Sequence, residues 1–80
     1  MIARMWEARC ADGCADEAVA WVRATVVPDA LEAGASTAEL FGSADRIVLI
    51  TRWPSAPTWR EPAAPSSVER AHAWDFQVLP

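Results

Sequence analysis

The chain has 80 residues, of which 52% are hydrophobic, and its seven arginines and 11 acidic residues give a formal net charge of -4. A domain this small hides only about 60 to 65% of its unfolded surface, so it needs additional stabilisation. Two cysteines are too few for a disulfide scaffold, and the apolar fraction with five tryptophans indicates a second copy as the stabilising partner. We expect no nucleic-acid partner, because phosphate binding needs clustered cations and the arginines stand singly along an acidic chain.

The chain has no uncharged apolar segment near the roughly 18 residues that a membrane span needs. Its first residues also lack the charged start, apolar run and cleavage site of a secretory signal. We therefore expect a single cytoplasmic domain over residues 1–80, with no membrane contact.

The first predicted elements are a strand and a helix. Residues Ile2 to Arg9 alternate loosely, and both faces of that strand are partly apolar, as in an inner strand of a sheet. A turn at residues 11–13 leads into a helix whose apolar stripe is Ala18, Trp21, Val22, Thr25 and Val26. Pro28 is expected to bend the helix or end it nearby, but residues 29–33 resume a helical composition, so we expect one bent helix with Gly34 as its C-terminal cap.

A β-hairpin is predicted next. Residues 36–41 alternate, and a short loop joins them to the string RIVLITRW at residues 46–53. Four consecutive apolar residues, three of them β-branched, predict a strand that is buried on both faces and belongs in the middle of a sheet. This strand therefore needs cover on both sides.

The segment from Pro54 to Pro65 contains four prolines, which prevent a long helix and predict an irregular arm. Ser66 with Glu69 three residues later has the form of a capping box, which predicts one helical turn over residues 67–71. The last predicted strand spans residues 71–79, and its alternating larger side chains are His72, Trp74, Phe76 and Val78.

These elements predict an α+β fold in the order strand, helix, strand, strand, arm, strand. Short connections favour a ferredoxin-like split β-α-β arrangement, with a four-stranded antiparallel sheet ordered fourth, first, third, second. One helix covers only part of one sheet face, so the other face requires a partner. A twofold homodimer with the two sheets face to face is the simplest cover.

Three strings, MIARMWEAR in the first strand, RIVLITRW in the central strand and AHAWDFQ in the last, lie in this order around one helix. Together they resemble the antibiotic biosynthesis monooxygenase group of dimeric α+β barrel proteins. The resemblance implies a ferredoxin-like subunit whose sheet pairs with that of a twin, with a small cavity between sheet and helices. It also implies that the second helix of the family is largely replaced here by the proline-rich arm.

The group includes cofactor-free oxygenases that act on polycyclic aromatic polyketides, and also haem-degrading enzymes. The resemblance therefore implies a small aromatic-ligand protein similar to cofactor-independent monooxygenases of secondary metabolism, with no metal or other cofactor. The haem-degrading branch uses an Asn, Trp and His constellation, and the polyketide oxygenases involve a tyrosine and an asparagine, but this chain has neither asparagine nor tyrosine. Those absences favour the alternative, a non-catalytic dimeric binding or scaffold protein of the same fold.

His72 is the candidate catalytic residue. It is the only histidine, and imidazole is suited to remove a proton from a phenol or an activated carbon near neutral pH. The alternative is a hydrogen-bonded or solvated histidine at the start of a strand. We favour that alternative because no paired acid or nucleophile is visible in the sequence.

The candidate ligand-binding residues are Arg4, Trp6, Arg52, Trp53 and Trp59. As a cradle, the aromatic faces would hold a flat ligand and an arginine would pair with an anionic group on it. The alternative is packing in the core and the dimer interface, which we prefer for Trp21 and Trp74. Trp59 differs because it lies in the arm, and we expect it to close over the cavity as a lid.

Cys10 and Cys14 flank the strand-to-helix turn with C-x3-C spacing. Such a pair could hold a soft metal or form a redox disulfide, but only His72 is available as a further ligand, so no metal site is predicted. We prefer two reduced thiols that pack as small apolar groups, with Cys14 the more reactive because it lies near a helix start.

Overall fold

The computed structural model describes all 80 residues, Met1–Pro80. The four strands of its single antiparallel sheet are β1 (Ile2–Cys10), β2 (Thr37–Gly42), β3 (Arg46–Trp53) and β4 (Val68–Gln77). One continuous helix consists of α1 (Ala15–Trp21), a π-helical segment (Val22–Val26) and α2 (Val27–Glu32). None of these helical segments has the length and hydrophobicity that crossing a bilayer requires.

The strand order is β2-β3-β1-β4, with β3 and β1 in the middle. This is the predicted order, and the α+β arrangement is compatible with a ferredoxin-like fold. β1 and β2 both run antiparallel to β3, so the helix connects two parallel strands and β3 inserts between them. The prediction that residues 46–53 form an inner strand is therefore confirmed.

One face of the sheet packs against the helix, and we call it the helix face. Its buried side chains alternate along the strands because successive residues of a strand point to opposite faces. In β1 they are Trp6, Ala8 and Cys10, and in β3 they are Ile47, Leu49, Thr51 and Trp53. The helix covers them with Ala18, Val22, Val26 and Ala30.

The helix buries these four residues at a strict spacing of four. In a regular α-helix of 3.6 residues per turn, residues four apart rotate by about 40°, so three such steps would turn Ala30 well away from Ala18. The π-helical segment Val22–Val26 has wider turns, which offset this rotation and keep all four residues toward the sheet. Of the predicted stripe, Trp21 is only half-buried and Thr25 is exposed.

The helix continues through Pro28, as the prediction of one helix up to Gly34 requires, and the proline does not end it. Pro28 stands in the first turn of α2, directly after the π-helical segment, where the loosened hydrogen-bond pattern accommodates its missing N–H. The helix ends at Glu32. Gly34 follows with a φ of 116°, a conformation that suits glycine and the predicted C-terminal cap.

The predicted helical turn over residues 67–71 is absent, and that prediction was wrong. β4 begins at Val68, which lies opposite Cys10 after an irregularity in the strand register. Pairing with β1 satisfies the backbone groups in the sheet, so the capping pattern of Ser66 and Glu69 is not used. Residues 54–65, which we call the arm, contain neither helix nor strand.

The second face of the sheet carries no helix, and we call it the open face. Its apolar side chains are Met5, Phe41, Val48, Ile50, Trp74 and Phe76. Phe41, Trp74 and Phe76 are 50%, 45% and 51% exposed. Val48 and Ile50 are only half-buried, so within one chain the central strand is covered on one face alone.

Candidate functional site

Trp59 of the arm folds back onto the helix face and contacts Trp53. The two ring centroids lie 5.5 Å apart, and the ring planes meet at 31°. The indole N–H of Trp59 donates to Oδ2 of Asp29 in α2 at 2.9 Å. The indole N–H of Trp53 donates to Oγ1 of Thr51 at 2.8 Å. Trp59 is thus attached both to the sheet and to the helix.

Arg4 connects the arm to the sheet. Its Nε and Nη2 donate to the two carboxylate oxygens of Asp75 on β4, at 2.6 and 3.0 Å. Its Nη1 donates to the backbone carbonyl of Trp59 at 2.7 Å and to Oε1 of Glu61 at 3.3 Å. The guanidinium carbon also lies 6.0 Å from the Trp59 ring centroid. Every guanidinium nitrogen of Arg4 therefore already has a partner, and together they hold the arm in place.

The charge state of this pair follows from its geometry. The hydrogen bond to Asp75 raises the pKa of Arg4, although burial of the guanidinium opposes the rise. The same hydrogen bond lowers the pKa of Asp75 below its ordinary value of 3.8. Both groups are therefore charged at neutral pH, and their attraction weakens only when acid protonates Asp75.

A groove of about 420 Å³ runs between the arm and the end of the helix. Trp53 and Trp59 form part of its wall, and residues 33–34 and 54–58 form the rest. No charged side chain lines it. Sites for drug-sized ligands measure roughly 300 to 1,000 Å³, so this groove suits a small molecule. Its aromatic wall and its lack of charge suit a flat, neutral one.

The structure brings together three of the five predicted ligand-binding residues, namely Arg4, Trp53 and Trp59. Trp6 is 5% exposed and packs in the core against Trp21, with ring centroids 6.2 Å apart. Arg52 lies on the open face, opposite Ala3 of β1. Trp6 and Arg52 therefore do not line the groove.

His72 also lies on the open face, opposite Glu7 of β1. Its ring centroid is 5.8 Å from that of Trp74, and it makes no side-chain hydrogen bond within the chain. The groove beside Trp59 is on the other side of the sheet. Within one chain, the candidate base and the tryptophans of the predicted cradle are therefore not brought together.

The two cysteines are free thiols, Cys10 buried and Cys14 half-buried at the start of the helix. Burial raises the pKa of the Cys10 thiol, and the negative charge of Asp45 raises it further. The Cys14 thiol donates to the carbonyl of Asp12 at 3.5 Å. No three His, Cys, Asp or Glu side chains are grouped so that they could hold a metal ion.

Sequence reasoning missed the acidic residues that fix Trp59 and Arg4, namely Asp29, Glu61 and Asp75. The signal for Asp75 was present, because an antiparallel register of the first and last strands places it opposite Arg4 as a cross-strand charge pair. The contacts of Asp29 and Glu61 depend on the path of the arm, which no local pattern specifies.

No protein-family model matches this sequence. Comparison with curated proteins finds no match, and comparison with solved structures finds none either. The resemblance to the antibiotic biosynthesis monooxygenase group thus stays a prediction from three strand strings, and function has to be inferred from the geometry.

Proposed function

We propose that this chain is a homodimeric binding protein for a small, flat, neutral aromatic molecule. The observation that carries the proposal is the uncharged groove whose wall contains the tilted aromatic pair Trp53 and Trp59. Aromatic side chains bind flat rings by offset stacking, which contributes about 0.5 to 1.5 kcal/mol beyond the burial of apolar area.

Trp59 acts as the lid of this groove. It covers Trp53, which is only 3% exposed, and it belongs to a segment without helix or strand. Its polar attachments are the indole bond to Asp29 and the carbonyl bond from Arg4. The Trp59 side chain can move away from Trp53, and a ligand ring can then stack on Trp53 in its place. The contact between two tryptophans is thereby replaced by a contact between Trp53 and the ligand.

The ligand is expected to carry no anionic group. Arg4, which the sequence predicted to pair with such a group, is fully engaged by Asp75, Trp59 and Glu61. Arg52 lies on the other side of the sheet. An anion in the groove would therefore lose water without gaining a cation, which is costly.

A second copy of the chain is the proposed cover of the open face. Only 14 of the 80 residues are buried in a single chain, which is a small core for a stable domain. The half-exposed rings of Phe41, Trp74 and Phe76 surround the apolar centre of this face, and extended apolar patches of this kind mark interaction sites. Pairing two identical faces about a twofold axis adds a second apolar layer between the sheets.

Tryptophan fluorescence tests the binding proposal, with coumarin as a neutral bicyclic probe. We expect coumarin to quench the parent protein and to quench a Trp59→Phe variant at most half as much at equal concentration. Trp21→Phe is the matched control, because Trp21 packs against Trp6 in the core and its loss leaves the groove intact. Equal quenching of the parent and Trp59→Phe would contradict the lid, and an unquenched parent would contradict the ligand class.

Catalysis stays a separate prediction from the sequence. His72 lies on the open face, at the border of the surface that a dimer would cover, and not in the groove. His72→Ala is therefore expected to leave coumarin binding unchanged. If oxygen-dependent turnover of an aromatic substrate is found in the parent and lost in this variant, the oxygenase prediction replaces the binding proposal.

A further inference from the structure

Three of the seven arginines, far apart in the sequence, form one row across the open face. Arg9 of β1 lies directly opposite Arg46 of β3 on one side and Arg70 of β4 on the other. Neighbouring strands are about 4.8 Å apart, so the row spans only about 10 Å. The arginines that stand singly along the chain are thus brought together by the strand register.

This row borders a polar cavity of about 250 Å³. Besides the three arginines, Glu7 and His72 line it, and no hydrophobic side chain does. Nη1 of Arg46 donates to Oε1 of Glu7 at 3.0 Å, so the only carboxylate in the lining is already paired.

The other two arginines have weak partners or none. Arg9 is 3.9 Å from Asp45 and 3.9 Å from Glu69, distances too long for hydrogen bonds. Arg70 has no carboxylate within 4.0 Å. A guanidinium group carries five N–H donors, and neither Arg9 nor Arg70 donates one from its side chain to another protein group.

Like charges directly opposite on neighbouring strands destabilise a sheet. The chain carries 11 acidic residues, yet Arg70 is paired with none of them. An anion held between Arg9 and Arg70 would relieve the repulsion and use donors that the fold leaves free. Planar guanidinium forks match the oxygens of phosphate and carboxylate groups, and two forks at adjacent strand positions suit a doubly charged group.

We propose that the cavity bordered by Arg9, Arg46, Arg70 and His72 binds a phosphate group, either the free ion or the group of a small phosphate ester. Arg9 and Arg70 donate to its oxygens, Arg46 remains paired with Glu7, and His72 donates from a ring nitrogen at the wall of the cavity. The expectation that the protein has no nucleic-acid partner is unaffected. One row of three arginines does not form an extended basic surface along which a polynucleotide backbone could lie.

The site is independent of the proposed function. It lies on the open face where β1 ends and β3 and β4 begin, whereas the aromatic groove lies on the helix face. The apolar residues of the open face occupy the neighbouring register positions, so the arginine row borders the proposed contact between copies. Failure of the phosphate site would leave the groove and the dimer untouched.

Isothermal titration of the whole protein with inorganic phosphate at low salt tests this site. Arg70→Gln is compared with Arg60→Gln, because both replace an exposed arginine and change the net charge equally. We expect Arg70→Gln to weaken phosphate binding at least tenfold and Arg60→Gln to change it less than twofold. Arg70→Lys keeps the positive charge but loses the planar guanidinium group. Its affinity for phosphate is expected to lie between those of the parent and Arg70→Gln.

A second titration with phenyl phosphate separates the two forms of the ligand. Tighter binding of phenyl phosphate than of inorganic phosphate assigns the site to an ester, and weaker or equal binding assigns it to the free ion. Backbone amide shifts at Glu7, Arg9 and Arg70 give an independent readout, which does not rely on any variant being folded. No binding by the parent at millimolar phosphate, or equal losses in Arg60→Gln and Arg70→Gln, would overturn the proposal.

Discussion

The two faces of the sheet are built by the same strands, yet they differ in what covers them. On the helix face, Ile47 and Leu49 are each 1% exposed beneath the helix. On the open face, their sequence neighbours Val48 and Ile50 are only half-buried, and the chain supplies nothing to cover them. An apolar pattern thus shows which side chains need cover, but it does not show whether the cover comes from the same chain.

The arginines of the two faces differ in the same way. Arg4 on the helix face has a partner for every guanidinium nitrogen, and it fixes the arm. Arg9 and Arg70 on the open face have unused donors and lie directly opposite each other. The helix covers the apolar side chains of the helix face within one chain, whereas the open face leaves both apolar side chains and arginine donors without partners in the chain.

The largest expected effect is a difference in the free energy of unfolding between two matched truncations, one on each face of the sheet. Leu49→Ala removes a fully buried side chain and should lower the free energy of unfolding by about 3 kcal/mol at any protein concentration. Ile50→Ala, one position along on the open face, should cost clearly less in dilute solution and more as concentration rises, because the proposed dimer would bury Ile50. Urea denaturation at two protein concentrations checks this. Equal, concentration-independent losses would contradict the distinction.

Arg4→Gln should lower the free energy of unfolding by about 2 kcal/mol, because it removes the hydrogen bonds of Arg4 to Glu61 and to the Trp59 carbonyl as well as those to Asp75. It should also release the arm, so that trypsin cleaves after Arg60 faster than in the parent. Arg52→Gln on the open face is the matched control and should change neither quantity by much. An unchanged cleavage rate in Arg4→Gln would show that the arm is held by other contacts.

The Arg4–Asp75 pair should also show itself in the pH dependence of stability. The pKa of Asp75 is lower in the folded protein than its ordinary value of 3.8, so its contribution is present above that value and is lost as pH falls through the folded pKa. Because Asp75 is partly exposed, the effect is about 1 kcal/mol. The difference in the free energy of unfolding between the parent and Asp75→Asn should therefore be present at pH 7 and should shrink as the pH falls below 3.8. A constant difference would contradict the ion pair.

The smallest effect concerns the lid. Trp59→Phe keeps an aromatic ring in place but removes the indole N–H that donates to Asp29, which should cost about 0.5 to 1 kcal/mol. In an Asp29→Ala background the same substitution should cost little, since the acceptor is already gone. A double-mutant cycle from urea denaturation measures this coupling. Additive losses would show that the hydrogen bond does not hold Trp59.

Sequence alone predicted most of the sheet, because alternation and β-branched runs are local signals. They located the strands, and connection rules then gave the order with β3 and β1 in the middle. The turn predicted from Ser66 and Glu69 failed because pairing of Val68 with β1 competes with the local capping pattern. Tertiary pairing prevailed over a short local motif there.

The candidate sites were harder to predict from the sequence, because each is formed by residues that are far apart in the chain. The partners of Trp59 depend on how the arm returns to the helix, and the arginine row depends on the pairing of Arg9 with Arg46 and Arg70. Similarly, His72 lies on the open face, whereas Trp53 and Trp59 of the predicted cradle lie on the helix face. The residue types indicated which chemistry is available, but the strand register determines which side chains lie close together.

Sedimentation equilibrium of the parent and of Ile50→Glu tests most directly the claim that a second copy covers the open face. The parent is expected at twice the chain mass of 8.7 kDa, and Ile50→Glu at 8.7 kDa with an unchanged circular dichroism spectrum. Thr25→Glu, at an exposed helix position, is the matched control and should remain a dimer. A folded parent that sediments at 8.7 kDa over the whole micromolar range would contradict the claim.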